Sequence, residues 1–242
     1  MAPVRILVVD DDAVSREVIG LHLEGAGYGV ETADCGGAAL LRLSAVMDLP
    51  PGVVLADLQM PGIAGAELGR RLREVCGAET LLLAMSGSEP DGAVRLEFDG
   101  FLLKPFTMEA LGEAISGGSR EPANGAAGRA GCVLDDGVYR KLAAAMRRGR
   151  LQELYELCLS DAQARIAGMR RSASEGDDAA YRREAHAIKG GCGMVGAAEL
   201  QSLATSMEER GLSDANHVAS LDEFMLACER LRRILIGHAT EK

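Results

Sequence analysis

Four short apolar runs in this sequence each end in a side chain that handles charge or phosphate. Asp10, Asp11 and Asp12 follow Val4–Val9, and Asp57 follows Val53-Val54-Leu55-Ala56. Ser86 follows Thr80–Met85, and Lys104 follows Gly100–Leu103. Crowded carboxylates repel one another unless a proton or a cation intervenes. A hard divalent ion such as Mg2+ suits an oxygen-rich site of this kind. An ammonium on the same rim offsets carboxylate charge and can pair with a phosphoryl oxygen. A carboxylate nucleophile, a cation and an anion binder are the inventory for phosphoryl transfer to an aspartate. Singly, these residues have plainer roles. Asp12 precedes a helical pattern and suits an N-cap, and an isolated Asp57 suits a turn. Their coincidence at run ends carries the functional reading. The Lys104-Pro105 peptide is also a candidate for cis geometry, which would fix the lysine's approach.

A second chemistry gathers around His186. On a helix through Tyr181–Val195, the residues Ala185, Ile188, Cys192 and Val195 line one face and read as core. His186, Lys189, Gly190 and Gly193 fall at i, i+3, i+4 and i+7 on a neighbouring stripe. The imidazole is then expected to stand outward, with a lysine one turn away and no other side chain around it. A glycine in a helix interior costs about 1 kcal/mol relative to alanine. Gly190, Gly191 and Gly193 therefore read as bare surface that lets another protein approach the imidazole. A neutral imidazole, available near pH 7, is a phosphoryl nucleophile, and Lys189 would stabilise the product. No second His, Cys or acidic residue has ligand spacing to His186, so no metal is implied there.

The elements that must position these groups differ between the two halves. The first half alternates short apolar runs with helical patterns: strands at Val4–Val9, Tyr28–Ala33, Val53–Ala56, Thr80–Met85 and Gly100–Leu103. Helices fall at Ala13–Glu24, Gly37–Val46, Ala64–Val75, Asp91–Leu96 and Thr107–Ser116. Five such β/α units imply a parallel sheet covered on both faces, with ligands at the carboxyl ends of the strands. The second half is helical throughout, over Leu134–Arg147, Arg150–Ser174, Asp177–Val195, Ala197–Arg210 and Ser213–Ile236. It reads as an antiparallel helical bundle. Between them, residues 117–131 are rich in Gly, Ala and Pro with no apolar period, the composition of a flexible linker. Fifteen such residues span roughly 20 Å. The expected division is 1–116, a linker at 117–131, and 132–242.

Composition narrows the function. The chain has 242 residues and is 48% hydrophobic, enough for sizeable cores. It carries 36 acidic and 26 basic side chains, and its net charge of -10 argues against nucleic acid as a partner. The charge is concentrated: residues 1–116 hold 18 acidic and 8 basic side chains, residues 132–242 hold 17 and 16. There is no Trp, so base stacking has little to work with. No apolar run is long enough for membrane insertion, and Met-Ala-Pro-Val-Arg has no signal-peptide layout. Six dispersed cysteines read as reduced, mostly buried thiols, and the expected location is cytoplasmic. Gly25-Ala26-Gly27-Tyr28-Gly29 closes a helix and precedes a strand, which suits a C-cap and turn rather than a dinucleotide loop.

Residues 4–116 resemble a response-regulator receiver domain. The motifs that carry the resemblance are Val8-Val9-Asp10-Asp11, Asp57-Leu58-Gln59-Met60-Pro61-Gly62, Ser86-Gly87 and Lys104-Pro105-Phe106, in the family's order. The resemblance implies a flavodoxin-like, doubly wound, five-stranded parallel sheet with Asp57 as phosphoacceptor. It also implies a Mg2+ site in which Asp11 ligates directly, Asp10 mainly through water, and Gln59 through its backbone carbonyl, beside Asp57. Lys104 would contact the phosphoryl group, Ser86 would be the hydroxyl drawn to it, and Phe101 would be the rotating aromatic. One interval departs from the family: Ser86 to Lys104 is about four residues short, one helical turn, which places the loss in the fourth helix or its loops.

Residues 132–240 resemble a histidine-containing phosphotransfer (HPt) domain, through Ala185-His186-Ala187-Ile188-Lys189-Gly190-Gly191 and Val195-Gly196-Ala197-Ala198-Glu199-Leu200. Leu134-Asp135 and Gly176-Asp177 also suit the pattern. By resemblance His186 is the phosphorylated residue, Lys189 its electrostatic partner, Gly190 the small residue that opens access, and Glu208 a polar residue facing the histidine. No ATP-binding fingerprint is found. The expected function is therefore a phosphorelay protein, not an ATP-using kinase. Its expected partners are a sensor histidine kinase, including the hybrid kind, and the receiver domain of another response regulator. Two alternatives stay open. The helical half could be a receiver-gated docking adaptor in which His186 is dispensable. The Asp10/Asp11/Asp57 pocket could serve a Mg2+-dependent phosphohydrolase, although such enzymes usually place a second acid two residues after the nucleophile, where this chain has Gln59.

Overall fold

The computed structural model describes residues 3–45, 50–87, 89–104, 106, 108–116, 123–124 and 132–240. The chain divides into two compact units, Met1–Ala127 and Gly128–Lys242.

In the first unit, strands β1 (Arg5–Val9), β2 (Gly29–Ala33), β3 (Val53–Asp57), β4 (Leu81–Ser86) and β5 (Gly100–Leu103) alternate with helices. The helices are α1 (Ala13–Gly25), α2 (Gly36–Ala45), α3 (Gly65–Cys76), α4 (Gly92–Glu97) and α5 (Met108–Ile115). The strands are parallel in the order β2-β1-β3-β4-β5, extended at one edge by β6 (Ala123–Asn124). β3 is buried along its whole length, as a central strand covered on both faces must be. The helices bury regular stripes: Val14, Val18 and Ile19 of α1, and Leu68, Leu72 and Cys76 of α3. Asp12 caps α1, accepting hydrogen bonds from the amides of Val14 and Ser15 at 3.1 and 3.2 Å. The turn after α1 leads through Gly27, at φ +90°, into β2.

Two features of this unit differ from, or sharpen, the sequence expectation. The sheet has a sixth strand, because Ala123–Asn124 pairs with Leu102 and Leu103. The open backbone groups of an edge strand make such pairing favourable for any extended segment. These two residues are the described part of the stretch expected to be a linker; its other residues, and Pro105, lie outside the described residues. The second feature is α4, only six residues long. It lies close against α3 at Gly69, where a Cβ would come within 2.7 Å of the Phe98 ring.

The second unit contains α6 (Asp136–Ala145), α7 (Arg148–Glu175), α8 (Asp178–Met194), α9 (Ala198–Arg210), a 3-10 turn at Gly211–Ser213, and α10 (His217–Thr240). Cross-helix pairs fix the directions. Tyr155 reaches Val195 and Arg165 reaches Glu184, so α7 and α8 run antiparallel. Arg170–Asp222 and Arg148–His238 do the same for α7 and α10, as do Arg182–Glu209 and the close approach of Gly193 to Gln201 for α8 and α9. Asp135 caps α6, Gly176 closes α7 in the left-handed region at φ 73°, and Asp177 caps α8. The core holds Leu154, Leu159, Ile166, Tyr181, Ile188, Leu200, Phe224 and Leu231. Cys76, Cys158, Cys192 and Cys228 are buried, Cys35 and Cys132 less so, and all six are free thiols. Among the described residues no helix is long and apolar enough to cross a membrane.

Candidate phosphotransfer sites

The strand order reverses direction between β1 and β3, so their carboxyl ends open a crevice. Register delivers the side chains to it. Val9 pairs with Ala56, which puts Asp10 and Asp57 at neighbouring strand ends. Asp57 pairs with Met85, and the Lys104 amide bonds the Ser86 carbonyl at 2.7 Å, bringing the ends of β4 and β5 to the same rim. The expected convergence of Asp10, Asp11, Asp57, Ser86 and Lys104 is present. Carboxylate oxygens of Asp10, Asp11 and Asp57 all lie within 4.8 Å of one another.

Lys104 ties the cluster together. Its Nζ donates to Asp10 Oδ2 at 2.7 Å and to Asp57 Oδ2 at 2.8 Å. Its side chain is only 7% exposed. Burial alone would disfavour the ammonium, but the two carboxylates raise its pKa well above the ordinary lysine value. Burial, opposed by Lys104 and reinforced by Asp57 and Asp12, pushes the Asp10 carboxyl up to about 6. The backbone pins the remaining oxygens. Asp12 N donates to Asp10 Oδ1 at 2.8 Å, and Gln59 N donates to Asp57 Oδ1 at 3.0 Å. Gln59 is itself exposed, and its described contact with the pocket is this backbone amide. Ser86 is buried beside the site. Phe101 is half-buried against the sheet's helix-covered core, and the guanidinium of Arg95 stands 5.4 Å from its ring centroid. Sequence reasoning did not find Arg95; no pattern links it to Phe101 before α4 is placed.

The histidine site lies in the second unit, on α8 and α9. Here one expectation is corrected. His186 does not stand free of other side chains: its Nδ1 lies 2.6 Å from Glu208 Oε1, and its side chain is 14% exposed. Lys189 Nζ donates to the other carboxylate oxygen of Glu208 at 2.9 Å. The antiparallel register of α8 and α9 brings Glu208 across, which a helical wheel of α8 alone does not reveal. Burial would raise the Glu208 carboxyl, but hydrogen bonds from His186 and Lys189 outweigh it and bring the group down to about 2. Glu208 is therefore ionised near neutrality and can only accept. The proton of a neutral His186 must then sit on Nδ1, which leaves the lone pair on Nε2.

The glycine expectation is also corrected. A Cβ on Gly190 would meet open space, so this position is bare surface as expected. Gly191 is buried in the bundle, and a Cβ on Gly193 would come within 2.8 Å of the Gln201 amide. Neither is bare surface, and Gly193 lies close against Gln201 of α9.

Comparison with known proteins agrees with this division. The family described as "Response regulator receiver domain" matches residues 6–116, and the family described as "Hpt domain" matches residues 153–234. The chain is similar to the DNA-binding response regulator MtrA of Mycobacterium tuberculosis (strain ATCC 25618 / H37Rv), 37% identical over 109 residues, 44% of this chain and 46% of that protein. It is also similar to the transcriptional regulatory protein ResD of Bacillus subtilis (strain 168), 35% identical over 106 residues, 43% of this chain and 42% of that protein. The chain spans less than half the length of these relatives. Among solved structures, the chemotaxis protein CheY4 of Vibrio cholerae aligns with a TM-score of 0.43 at 27% identity, covering 49% of this chain and 100% of that one. The chain thus carries a response regulator receiver domain and an Hpt domain on one polypeptide, a pairing of phosphotransfer modules that fits a phosphorelay protein.

Proposed function

We propose that this chain is a phosphorelay intermediate in which Asp57 accepts a phosphoryl group and His186 exchanges phosphate with a receiver aspartate, its own or another protein's. One observation carries the reading: a single polypeptide holds both an aspartate fixed among carboxylates and a lysine, and a histidine whose Nδ1 is held by a carboxylate. The receiver is assigned to 1–116, the HPt domain to 132–242, and the joining segment to 117–131.

At the receiver site, Asp10, Asp11, Asp57 and the Gln59 backbone carbonyl would hold Mg2+. The all-oxygen donor set and its close spacing fit a hard divalent ion. Such an ion, when bound, neutralises charge on a transferring phosphoryl group. The chain's own groups do the rest. Asp57 presents the carboxylate nucleophile, oriented by the Gln59 amide. When Asp57 is phosphorylated, Lys104 exchanges its Asp57 contact for a phosphoryl oxygen, and Ser86, buried at the end of β4, is drawn toward the new charge. That movement is the switch, with Phe101 beside it.

At the histidine site, the Nε2 lone pair attacks the phosphorus of an aspartyl phosphate. The P–O bond breaks, and the aspartate leaves as a carboxylate. The imidazole keeps its Nδ1 proton, and Glu208 compensates the positive charge that develops on the ring. Lys189 is free to turn from Glu208 to the phosphoryl oxygens. The chain draws phosphate from a sensor kinase rather than from ATP, passes it to or from a second receiver, and works in the cytoplasm.

Single substitutions test this. Asp57→Asn should abolish labelling by a small acyl phosphate donor, while His186 still accepts phosphate from a separate phosphorylated receiver. His186→Gln should leave Asp57 labelling intact and stop all transfer to the helical unit. If both variants relay phosphate as the unaltered chain does, the proposal fails.

A further inference from the structure

Glu208 is gripped at two points from the same face of α8. At one point its carboxylate receives His186 and Lys189. At the other, its backbone carbonyl accepts from Arg182 Nη1, which also bonds the Glu209 carbonyl at 2.8 Å. These are among the last carbonyls of α9, groups with no partner inside their own helix. Arg182 lies four residues before His186, one turn back on the same stripe. Asp178, a further turn back, fixes the guanidinium: its Oδ2 accepts from Arg182 Nε at 2.6 Å. Its Oδ1 accepts the Leu212 amide at 2.6 Å, which ties down the chain just beyond α9. Gly211 makes room. It sits at φ +59°, and a Cβ there would collide with both the Arg182 guanidinium and the Asp178 carboxylate. Glu184, on the neighbouring face, belongs to a separate pair with Arg165 of α7.

From this geometry we propose that Arg182 is a positioning residue for phosphotransfer at His186: by clamping the end of α9 to α8, it holds the Glu208 carboxylate on Nδ1 and so keeps Nε2 available. The inference rests on the reading of His186 as phosphoacceptor. Arg182 need not touch the phosphoryl group. Its planar fork bonds two carbonyls and one carboxylate together, which a lysine ammonium reproduces only in part.

The experiment compares the full chain with Arg182→Gln, Arg182→Lys and Glu208→Ala. Long-range 15N–1H correlations of the His186 ring read the tautomer, and the rate of label transfer to His186 from a separate phosphorylated receiver reads the chemistry. The unaltered chain should show the Nδ1–H form. Arg182→Gln should give a mixture of tautomers and slow transfer by about tenfold to a hundredfold, the scale of small misplacements in a reacting geometry. Arg182→Lys should recover part of both. In the Glu208→Ala background, adding Arg182→Gln should change the tautomer no further, because the arginine acts through the glutamate. A wild-type tautomer and rate in Arg182→Gln overturns the inference. If Arg182→Gln does not fold, Asp178→Asn, which loosens the guanidinium from its other side, is held to the same expectation and the same contradiction. If label never reaches His186 in the unaltered chain, the phosphoacceptor reading fails, while the tautomer comparison still decides whether Arg182 positions Glu208.

Discussion

Glu208 commits both carboxylate oxygens to the reactive face of α8, one to His186 Nδ1 and the other to Lys189 Nζ. Its folded-state value of about 2, against 4.5 for an unperturbed carboxyl, has a direct consequence. A depressed carboxyl contributes stability that is fully present above the unfolded value and is lost as the group takes up its proton. For Glu208 the loss runs from about 4.5 down to about 2. The group is half-buried, so solvent screening makes the contribution smaller than the shift alone suggests. Amide exchange of α8 and α9 in the full chain, corrected for intrinsic pH dependence, should lose protection across that window. Glu208→Gln should flatten the loss, and an identical pH profile in the variant would contradict the account. Family resemblance points to Glu208, whereas the stripe of α8 alone leaves His186 with only Lys189 nearby. The helical period of α8 shows what shares its stripe but not what crosses from α9. Asp10, Asp57 and Lys104 were easier to see, because each follows an apolar run and adjacent parallel strands bring such ends together.

At the scale of elements, α8 combines the face that carries His186 with an unpartnered polar group in the core. Tyr181 is fully buried one turn before Ala185, and its hydroxyl finds no hydrogen-bond partner among the described residues. Burying such a group without a partner costs about 1–3 kcal/mol. Tyr181→Phe removes the hydroxyl and keeps the ring that stands edge-on to His217, 6.5 Å between centroids. The variant should therefore unfold at a higher denaturant concentration, with a gain in stability of about 1 kcal/mol or more. A hydroxyl that was bonded would give the opposite sign, a loss of about 0.5–1.5 kcal/mol. Most element boundaries were legible from apolar period and caps, and the helices of the second unit lie within a few residues of their expected ends. The sixth strand was not. Ala123–Asn124 has neither β-branched residues nor alternation, and it is a strand only because the edge of β5 offers it backbone partners. The brevity of α4 was legible as a shortened interval between Ser86 and Lys104. The close approach of α4 to α3 over Gly69 required the packed structure.

For the molecule as a whole, the proposed function assigns the two units complementary halves of one reaction, an acyl phosphate site and an imidazole nucleophile, and the chain's acidic excess falls in the receiver. The division into a sheet unit and a helical unit was legible in the change of apolar period alone. The candidate site of each unit was legible only once strand ends and helix stripes were treated as places where side chains meet. The most direct test is to load the purified full chain from a radiolabelled small acyl phosphate with Mg2+ and to follow the chemical stability of the label. Aspartyl phosphate is lost in base, whereas phosphohistidine survives base and is lost in acid. The account predicts a base-labile label at Asp57, and a base-stable label at His186 once a phosphorylated receiver, this chain's own or a separate one, is present. A base-stable label absent from His186→Gln would bear the account out. A chain that carries only base-labile phosphate, whatever receiver is offered, would contradict it and bring forward the docking-adaptor reading of the helical unit.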